Sequence, residues 1–297
     1  MPLEAVILIF MSAVLHAGWN LLGKSRKPSA GYFLIATLVP SLFFLPQILW
    51  FIAVHPLPPE FLLLLGATAI FQTIYFISLA AAYRSGEMSV TYPLARAVPI
   101  LILAGIETAT GHRFSVTGSI AALIVVMGCI GVGVRKNGGL AHHRSLVFAL
   151  MAAGGTTGYT LIDHHNMGLL TSVLAGTTAG AIEMTLFYIA VETLLTGVFL
   201  SLYVLANRKE RTAFSALVRD HGWHATGAGI VCTLAYALVL SAMPMVSNAT
   251  YVAAFRQLSI PIGTTAGIVV LKEPFTFLKT CSVAAIFAGL TLLFLSH

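Results

Sequence analysis

Stretches of about twenty mostly apolar residues recur along the whole chain, and ten of them can be counted. A helix needs roughly 20 such residues to cross the ~30 Å hydrocarbon core of a bilayer. Only 9% of the 297 residues are charged, against about 25% in an average soluble domain, so the chain lacks the polar residues that would cover it in water. We therefore predict an all-α membrane protein with ten transmembrane helices. The spans lie near residues 3–23, 31–54, 61–83, 88–111, 115–134, 145–163, 180–206, 222–243, 247–271 and 275–296.

Basic residues are concentrated in the loops after the odd-numbered spans, which hold thirteen of the sixteen lysines and arginines. The positive-inside rule would place these loops in the cytoplasm and both termini outside. The net charge of +6 therefore reflects orientation signals and does not indicate nucleic-acid binding. The longest polar stretch, residues 207–221, is expected to be a solvated loop, with a short interfacial helix as the alternative.

The second half of the chain repeats features of the first. "TYPLARAVP" at 91–99 matches "TYVAAFRQLSIP" at 250–261 in its Thr-Tyr pair, its arginine and its last proline. The predicted units are residues 1–136 and 145–297, with five spans each. Because five is an odd number, the second unit must cross the membrane in the opposite orientation, which is a recurring transporter design.

Short motifs add a family resemblance. "GHRFS" at 111–115 aligns with "KEPFT" at 272–276, and "HAGWN" at 16–20 and "YTLID" at 159–163 open the two units. Together with the duplication, they resemble the EamA family of the drug/metabolite transporter superfamily. The family usually has glutamate in the turn where this chain has His112. The resemblance implies a ten-helix secondary transporter of small metabolites, often an exporter, with both termini in the cytoplasm. Since the loop charges indicate the opposite, the side that the termini face is left open.

Two arginines lie deep in otherwise apolar spans. Arg96 is about eight residues into span four and Arg256 about nine into span nine, which places both roughly 12–14 Å deep. An arginine at membrane depth costs on the order of 3 kcal/mol on insertion scales, so each should face a polar cavity or a partner. We expect both to bind the carboxylate or phosphate of a solute. The alternative is a structural ion pair with a nearby acid.

Glu192 is the acid nearest the middle of its span. A carboxyl group buried away from water favours its protonated form, so Glu192 is the predicted site of proton coupling. The alternative is a structural partner for one of the two arginines. Glu107 shares a helix face with Arg96, but it lies near the end of span four and is expected at the membrane interface.

Aromatic and amide side chains in several spans are candidates to complete a substrate cavity. They are Trp19, Asn20, Gln72, Tyr75, Tyr92, Tyr159, Tyr251 and Gln257. For each one, the alternative is an interhelical hydrogen bond or anchoring at the membrane interface. Pro93, Pro99 and Pro261 should bend spans four and nine.

Other chemistries have little support in the sequence. The three cysteines are isolated in apolar runs, the histidine pairs have no ligand spacing of a zinc site, and a glycine-rich phosphate loop is missing. We therefore predict no metal and no cofactor. An intramembrane enzyme is the rival of another class, and the chain has no recognisable catalytic set.

These observations predict a secondary transporter in the plasma (inner) membrane of a bacterium. It would export a small anionic or zwitterionic metabolite, such as an amino acid or a phosphorylated or phosphonate compound, by alternating access. The expected partners are the solute, the lipid bilayer and protons; nucleic acid is not expected, and no oligomer is required. The rival cargo is an organic cation, a drug or a lipid-linked sugar, for which Glu192 would be the main ligand.

Overall fold

The computed structural model describes residues 2–23, 29–85, 88–111, 115–134, 143–177, 179–271 and 277–295. Within these ranges the chain forms twelve α-helices and no β-strand. The helices are α1 Leu3–Gly23, α2 Ala30–Phe43, α3 Leu45–Val54, α4 Pro59–Ser85, α5 Met88–Ala109, α6 Val116–Gly133, α7 His143–Val173, α8 Ala181–Ala206, α9 Arg208–Ala242, α10 Ala249–Phe255, α11 Ser259–Leu271 and α12 Phe277–Leu295.

Every predicted apolar run is helical. Runs two and nine are each divided between two helices, α2 with α3 and α10 with α11, and the other eight runs are one helix each. Five helices of the described ranges are individually long and apolar enough to cross a membrane, and the bent pair α2–α3 would be a sixth. Large apolar side chains such as Leu63, Ile182 and Phe277 cover the exterior, at 75%, 77% and 82% exposure. The chain is an all-α, multi-pass membrane protein.

Proline accounts for the two divided runs. Between α2 and α3 the axis bends by 57° at Phe44, and Pro46 supplies no backbone N–H to the first turn of α3. Between α10 and α11 lies the 3₁₀ turn Arg256–Leu258, and Pro261 cannot donate to the carbonyl of Gln257 within that turn. By contrast, α5 continues as one helix through Pro99.

Two predicted boundaries are wrong. Residues 207–221 are not a solvated loop, because α9 begins at Arg208 and runs through them, with the side chain of Asn207 accepting from the amides of Lys209 and Glu210. Span six was expected to end at residue 163, but α7 continues to Val173. The causes differ: most side chains of residues 208–218 are exposed and Glu210 is buried against Arg84, whereas Asp163 and Asn166 of α7 are fully buried with hydrogen-bond partners.

The packing pairs of the helices are the same when each helix of the first half, α1–α6, is exchanged for its counterpart in the second half, α7–α12. In chain order, α1 corresponds to α7, α2 to α8, α4 to α9, α5 to α11 and α6 to α12. The pair α4–α7 has its counterpart in α1–α9, the pair α2–α9 in α4–α8, and the pair α5–α7 in α1–α11. The last helices of the halves, α6 and α12, pack on each other, as do α2 and α8. All of these pairs join one half of the chain to the other.

Glycines allow several of these helices to approach closely. A Cβ on Gly229 of α9 would lie 2.3 Å from the carbonyl oxygen of Ala36 in α2, and one on Gly155 of α7 would lie 2.9 Å from that of Phe71 in α4. Such separations are too short for a side chain. Small residues are the usual means by which membrane helices pack backbone against backbone.

Candidate functional site

A cavity of about 70 Å³ lies between the two halves of the chain. Helices α1, α2 and α4 line it on one side, and α7, α8, α9 and the 3₁₀ turn Arg256–Leu258 on the other. Its titratable and amide lining residues are His16, Tyr32, Gln72, Tyr75, Tyr159, Cys232, Tyr236 and Arg256. This volume holds a few water molecules. Sites for drug-sized ligands begin near roughly 300 Å³, so a metabolite would need a wider form of the cavity.

Arg256 is the cation of this cavity. Its Nη2 donates to the hydroxyl of Tyr159 at 3.4 Å, and its guanidinium lies 5.1 Å from the ring centre of Tyr236 and 6.0 Å from that of Tyr159. Tyr75 packs edge-on against Tyr159 at 5.9 Å. Aromatic faces hold a cation without using its N–H groups. Among the described residues, Arg256 makes one side-chain hydrogen bond, so most of its donors remain for a solute.

Arg96 lies nearby but is bound very differently. It is 8% exposed, and its Nη2 donates to the carbonyl of Arg256 at 2.9 Å and to Oγ of Ser259 at 2.6 Å. Its Nε donates to Oε1 of Gln257 at 3.1 Å, and Nη1 lies 2.7 Å from Nε2 of His16. Arginine has no acceptor, so this His16 nitrogen accepts. Arg96 therefore fastens α5 and α1 to the break in span nine.

The other predicted site residues have different fates. Gln72, Tyr75 and Tyr159 line the cavity with Arg256. Gln257 faces Arg96 instead, and its Nε2 donates to the carbonyls of Arg96 and Ala253. Tyr251 is 5% exposed in the apolar core. The side chains of Trp19, Asn20 and Tyr92 lie outside the part of the chain that the structure describes. The binding roles of all these residues stay predictions.

Glu192 is fully buried behind the cavity wall, beside a second carboxyl group. Gln72 Nε2 donates to its Oε1, while Oε2 has no hydrogen-bond donor in the described part of the chain. Its carboxyl neighbour is Asp163, also fully buried. Asp163 accepts from the hydroxyls of Thr68, Tyr188 and Tyr236. A network of hydroxyl, amide and carboxyl groups thus extends from the cavity wall into the protein.

Sequence reasoning missed Asp163, Tyr236 and His16. Asp163 belongs to the "YTLID" motif, but the predicted end of span six placed it at a membrane edge; α7 continues ten residues beyond it. The signal was available, because Asp163 and Glu192 are both single acids within long apolar stretches. For His16 and Tyr236, the sequence carries no comparable signal.

Glu107, near the end of α5, is buried between helices. It is 4% exposed and accepts from the backbone N–H of Thr250 at 3.3 Å and from the hydroxyl of the same residue. Thr250 is in the first turn of α10, where free N–H groups favour a negative charge. Glu107 therefore caps α10 from α5.

No group of three or more His, Cys, Asp or Glu residues that could hold a metal ion is present among the described residues. Cys129, Cys232 and Cys281 are free thiols. The site is built from hydroxyl, amide, carboxyl and guanidinium groups, which are suited to binding solutes and protons.

Known proteins give information on the fold only. No family model matches the chain, and no curated protein matches its sequence. Among solved structures, 28 chains match. One of them, described only as "Crystal structure of protein", has 15% sequence identity and a TM-score of 0.65, with 99% of both chains covered. This chain therefore shares its fold with that protein over the whole length.

Proposed function

We propose that the chain is a secondary transporter of the EamA type that moves a small anionic or zwitterionic metabolite by alternating access. The observation that carries the proposal is the cavity between the halves, lined by Arg256 and aromatic rings and surrounded by apolar helices. An arginine among apolar membrane helices has a high free-energy cost, and such residues usually mark a binding site or a pathway. Its planar donors suit a carboxylate or a phosphate.

The packing pattern supports the proposed mechanism. An exchange of halves preserves the helix pairs, as expected of a duplicated unit with ten spans and inverted topology. In such proteins the substrate site lies at the junction of the repeats, and the repeats move against each other around it. The cavity is lined by helices of both halves of the chain, which supports this arrangement. Its small volume fits a form in which the helices have closed around it.

The charge in the cavity favours an anion over an organic cation. Arg256 already occupies the faces of Tyr159 and Tyr236, which are the surfaces that would hold a cationic solute. A second cation there would meet the repulsion of the guanidinium. The carboxyl groups lie behind Gln72 and Tyr236, so they do not offer a direct ligand.

Exchange in proteoliposomes tests this function. Vesicles would be loaded with a mixed panel of amino acids, phosphorylated compounds, phosphonates and organic cations, and release would be followed by mass spectrometry. Wild-type protein should exchange at least one anionic or zwitterionic solute, and Arg256→Ala should not. Arg211→Ala, which removes an exposed arginine, is the matched control. Exchange of cations alone, or normal exchange by Arg256→Ala, would contradict the proposal.

Inverted topology has a separate test. The loops after spans two and seven are counterparts, and inversion places them on opposite sides of the membrane. In a chain whose cysteines are replaced by alanine, Glu60→Cys and Lys209→Cys introduce exposed thiols near these loops. An impermeant maleimide should label one variant only from outside and the other only from inside. Labelling from the same side would refute the inverted arrangement.

A further inference from the structure

The two buried carboxyl groups form a unit that is separate from the cavity but in contact with its wall. Gln72 and Tyr236 both line the cavity, and each also bonds a carboxyl group behind it: Gln72 bonds Glu192, and Tyr236 bonds Asp163. Both acids are fully buried. A single layer of side chains therefore separates the two carboxyl groups from the cavity.

The hydrogen bonds distinguish the two acids. Oδ1 of Asp163 accepts from Thr68 and Tyr188, and Oδ2 accepts from Tyr236. Such donors stabilise the ionised form of a carboxyl group. Glu192 receives one amide donor on Oε1, and among the described residues its buried Oε2 receives none. A buried oxygen in that position is costly unless it carries a hydrogen of its own.

We propose that Asp163 and Glu192 form a one-proton site, in which Glu192 carries the proton on Oε2 and donates it to ionised Asp163. The proton then gives Oε2 of Glu192 a hydrogen-bond partner. With one proton bound, the buried pair carries one negative charge instead of two. Two ionised carboxyl groups so close together would repel each other strongly. When Glu192 releases the proton, Gln72 and Tyr236 are the groups between the pair and the cavity.

A metal cation is a poorer occupant of this site. Sodium requires several oxygen atoms with free lone pairs, and both oxygens of Asp163 already accept hydroxyl hydrogens. Gln72 directs an N–H group at Glu192, which would repel a cation. The single open oxygen is Oε2 of Glu192, and one open oxygen suits a proton better than a metal ion.

The other groups around the pair identify what would regulate it. Helix α4 contributes neutral Thr68 and Gln72, α8 contributes Tyr188, and α9 contributes Tyr236. Arg256, from the 3₁₀ turn, is the cation of this group: its guanidinium lies 5.1 Å from the ring centre of Tyr236, whose hydroxyl donates to Asp163. A positive charge close to a carboxyl group favours the ionised form of that group.

This arrangement links the proton to the solute, a step that rests on the proposed function. A solute anion on Arg256 would neutralise the charge that favours the loss of the proton. Binding of the anion and of the proton would then favour each other, and such coupling is reciprocal. Where one proton is linked to one anion, apparent solute affinity rises by up to about tenfold per pH unit on acidification.

Infrared titration of purified protein tests the proton site without any solute. The wild type should show the C=O stretch of a protonated carboxyl group near neutral pH, and Glu192→Gln should abolish it. Asp163→Asn, which removes the like charge, should lose this band at a pH about one unit or more lower than wild type. Arg256→Gln should keep it to higher pH. Glu107→Gln, which alters a buried carboxyl elsewhere, is the control and should leave the band unchanged.

Two results would overturn the proposal: a wild-type spectrum without the band at any pH above the range of free carboxyl groups, or an unchanged band in Glu192→Gln. A sodium-dependent shift in the carboxylate bands, at constant pH, would assign the site to a metal cation instead. Thermal unfolding of each variant checks that it is folded. If Glu192→Gln is not folded, Glu192→Asp replaces it in the test. This change retracts the carboxyl group, so it should move the band instead of abolishing it.

Transport then separates this inference from the function on which it rests. In the exchange assay, an imposed pH gradient should drive net flux of the exchanged solute in wild type. Glu192→Gln should retain exchange and lose the response to the gradient. Exchange with no response in wild type would overturn the linkage and leave the transporter proposal intact. Absence of exchange for every solute would refute the transporter, while the infrared result would still decide the proton site.

Discussion

Arg96 and Arg256 lie in the two similar sequence segments 91–99 and 250–261, but their surroundings differ in almost every respect. Arg96 lies within the continuous helix α5 and bonds Gln257, Ser259, His16 and a backbone carbonyl. Arg256 lies at a helix break and contacts tyrosine rings at the cavity. The guanidinium of Arg96 is hydrogen-bonded within the protein on all three nitrogens, whereas that of Arg256 makes one side-chain hydrogen bond among the described residues.

This difference follows from the backbone around each arginine. Among the described residues, α5 continues as one helix past Arg96, whereas the helix breaks at Arg256. The carbonyl of Arg256, which lies at that break, accepts from Ser259 and also from Arg96. One arginine thus holds the backbone that positions the other.

Arg96→Ala should have the largest effect on the folded state. It removes donors from Gln257, Ser259 and the Arg256 carbonyl, and each buried acceptor left unpaired is destabilising. We expect a loss greater than about 1–3 kcal/mol, the cost of one unpaired buried acceptor, seen as a clear fall in the melting temperature of detergent-solubilised protein. A melting temperature like that of wild type, together with lost transport, would make Arg96 a ligand like Arg256.

Arg256→Ala should reverse that pattern. Loss of one charged hydrogen-bonding group amounts to about 1.5–3 kcal/mol, so solute exchange should fall roughly 10- to 100-fold. The melting temperature should change much less than in Arg96→Ala, since tyrosine rings and one hydroxyl are its described contacts. Equal loss of stability in the two variants would contradict the distinction between a structural role for Arg96 and a solute-binding role for Arg256.

Gln257→Leu extends the test to the partner of Arg96. The change removes one acceptor and the donor that bonds two carbonyls, which should cost about 1–3 kcal/mol of stability. Its melting temperature should lie between those of wild type and Arg96→Ala. In the double variant with Arg96→Ala the losses should not add, because the residues share their bonds. Strict additivity would show that they act independently.

Tyr159→Phe should produce the smallest effect. It keeps the ring beside Arg256 and removes a hydroxyl whose hydrogen bond is long, at 3.4 Å. We expect a change of about 0.5–1.5 kcal/mol, or roughly 2- to 10-fold in exchange, with unchanged melting temperature. Tyr159→Leu, which also removes the ring face, should reduce exchange further. Equal exchange by the two variants would mean that the ring does not support the guanidinium.

Helix periodicity and membrane thickness were sufficient to predict an all-α, multi-pass membrane protein, and they placed Arg96 and Arg256 near each other. The rise per residue of a helix gives the depth of a side chain from its position in the span. Arg96 and Arg256 could therefore be placed at similar depths from the sequence alone. Their partners could not be predicted, because Gln257 and Ser259 are about 160 residues from Arg96 along the chain. No local pattern indicates which of two similar arginines is enclosed and which faces a cavity.

Asp163 shows where hydropathy reasoning fails. A polar stretch was interpreted as the end of a span, on the assumption that a membrane helix faces lipid. Here the helix faces protein: Asp163 and Asn166 are fully buried, with partners on α4, α8 and α9. Such residues cost little inside a bundle, so their presence marks the interior of the fold and not its edge.

The interleaving of the two halves has a consequence for biogenesis. Helices α1, α2, α4 and α5 find major packing partners among α7, α8, α9 and α11, all of which leave the ribosome later. Until then the first half would present Gln72, Arg96 and the surfaces facing Gly155 and Gly229 to lipid or to the insertion machinery. Most of the packing of each half is against the other half. Two separately encoded halves should therefore be degraded when produced singly and accumulate when produced together.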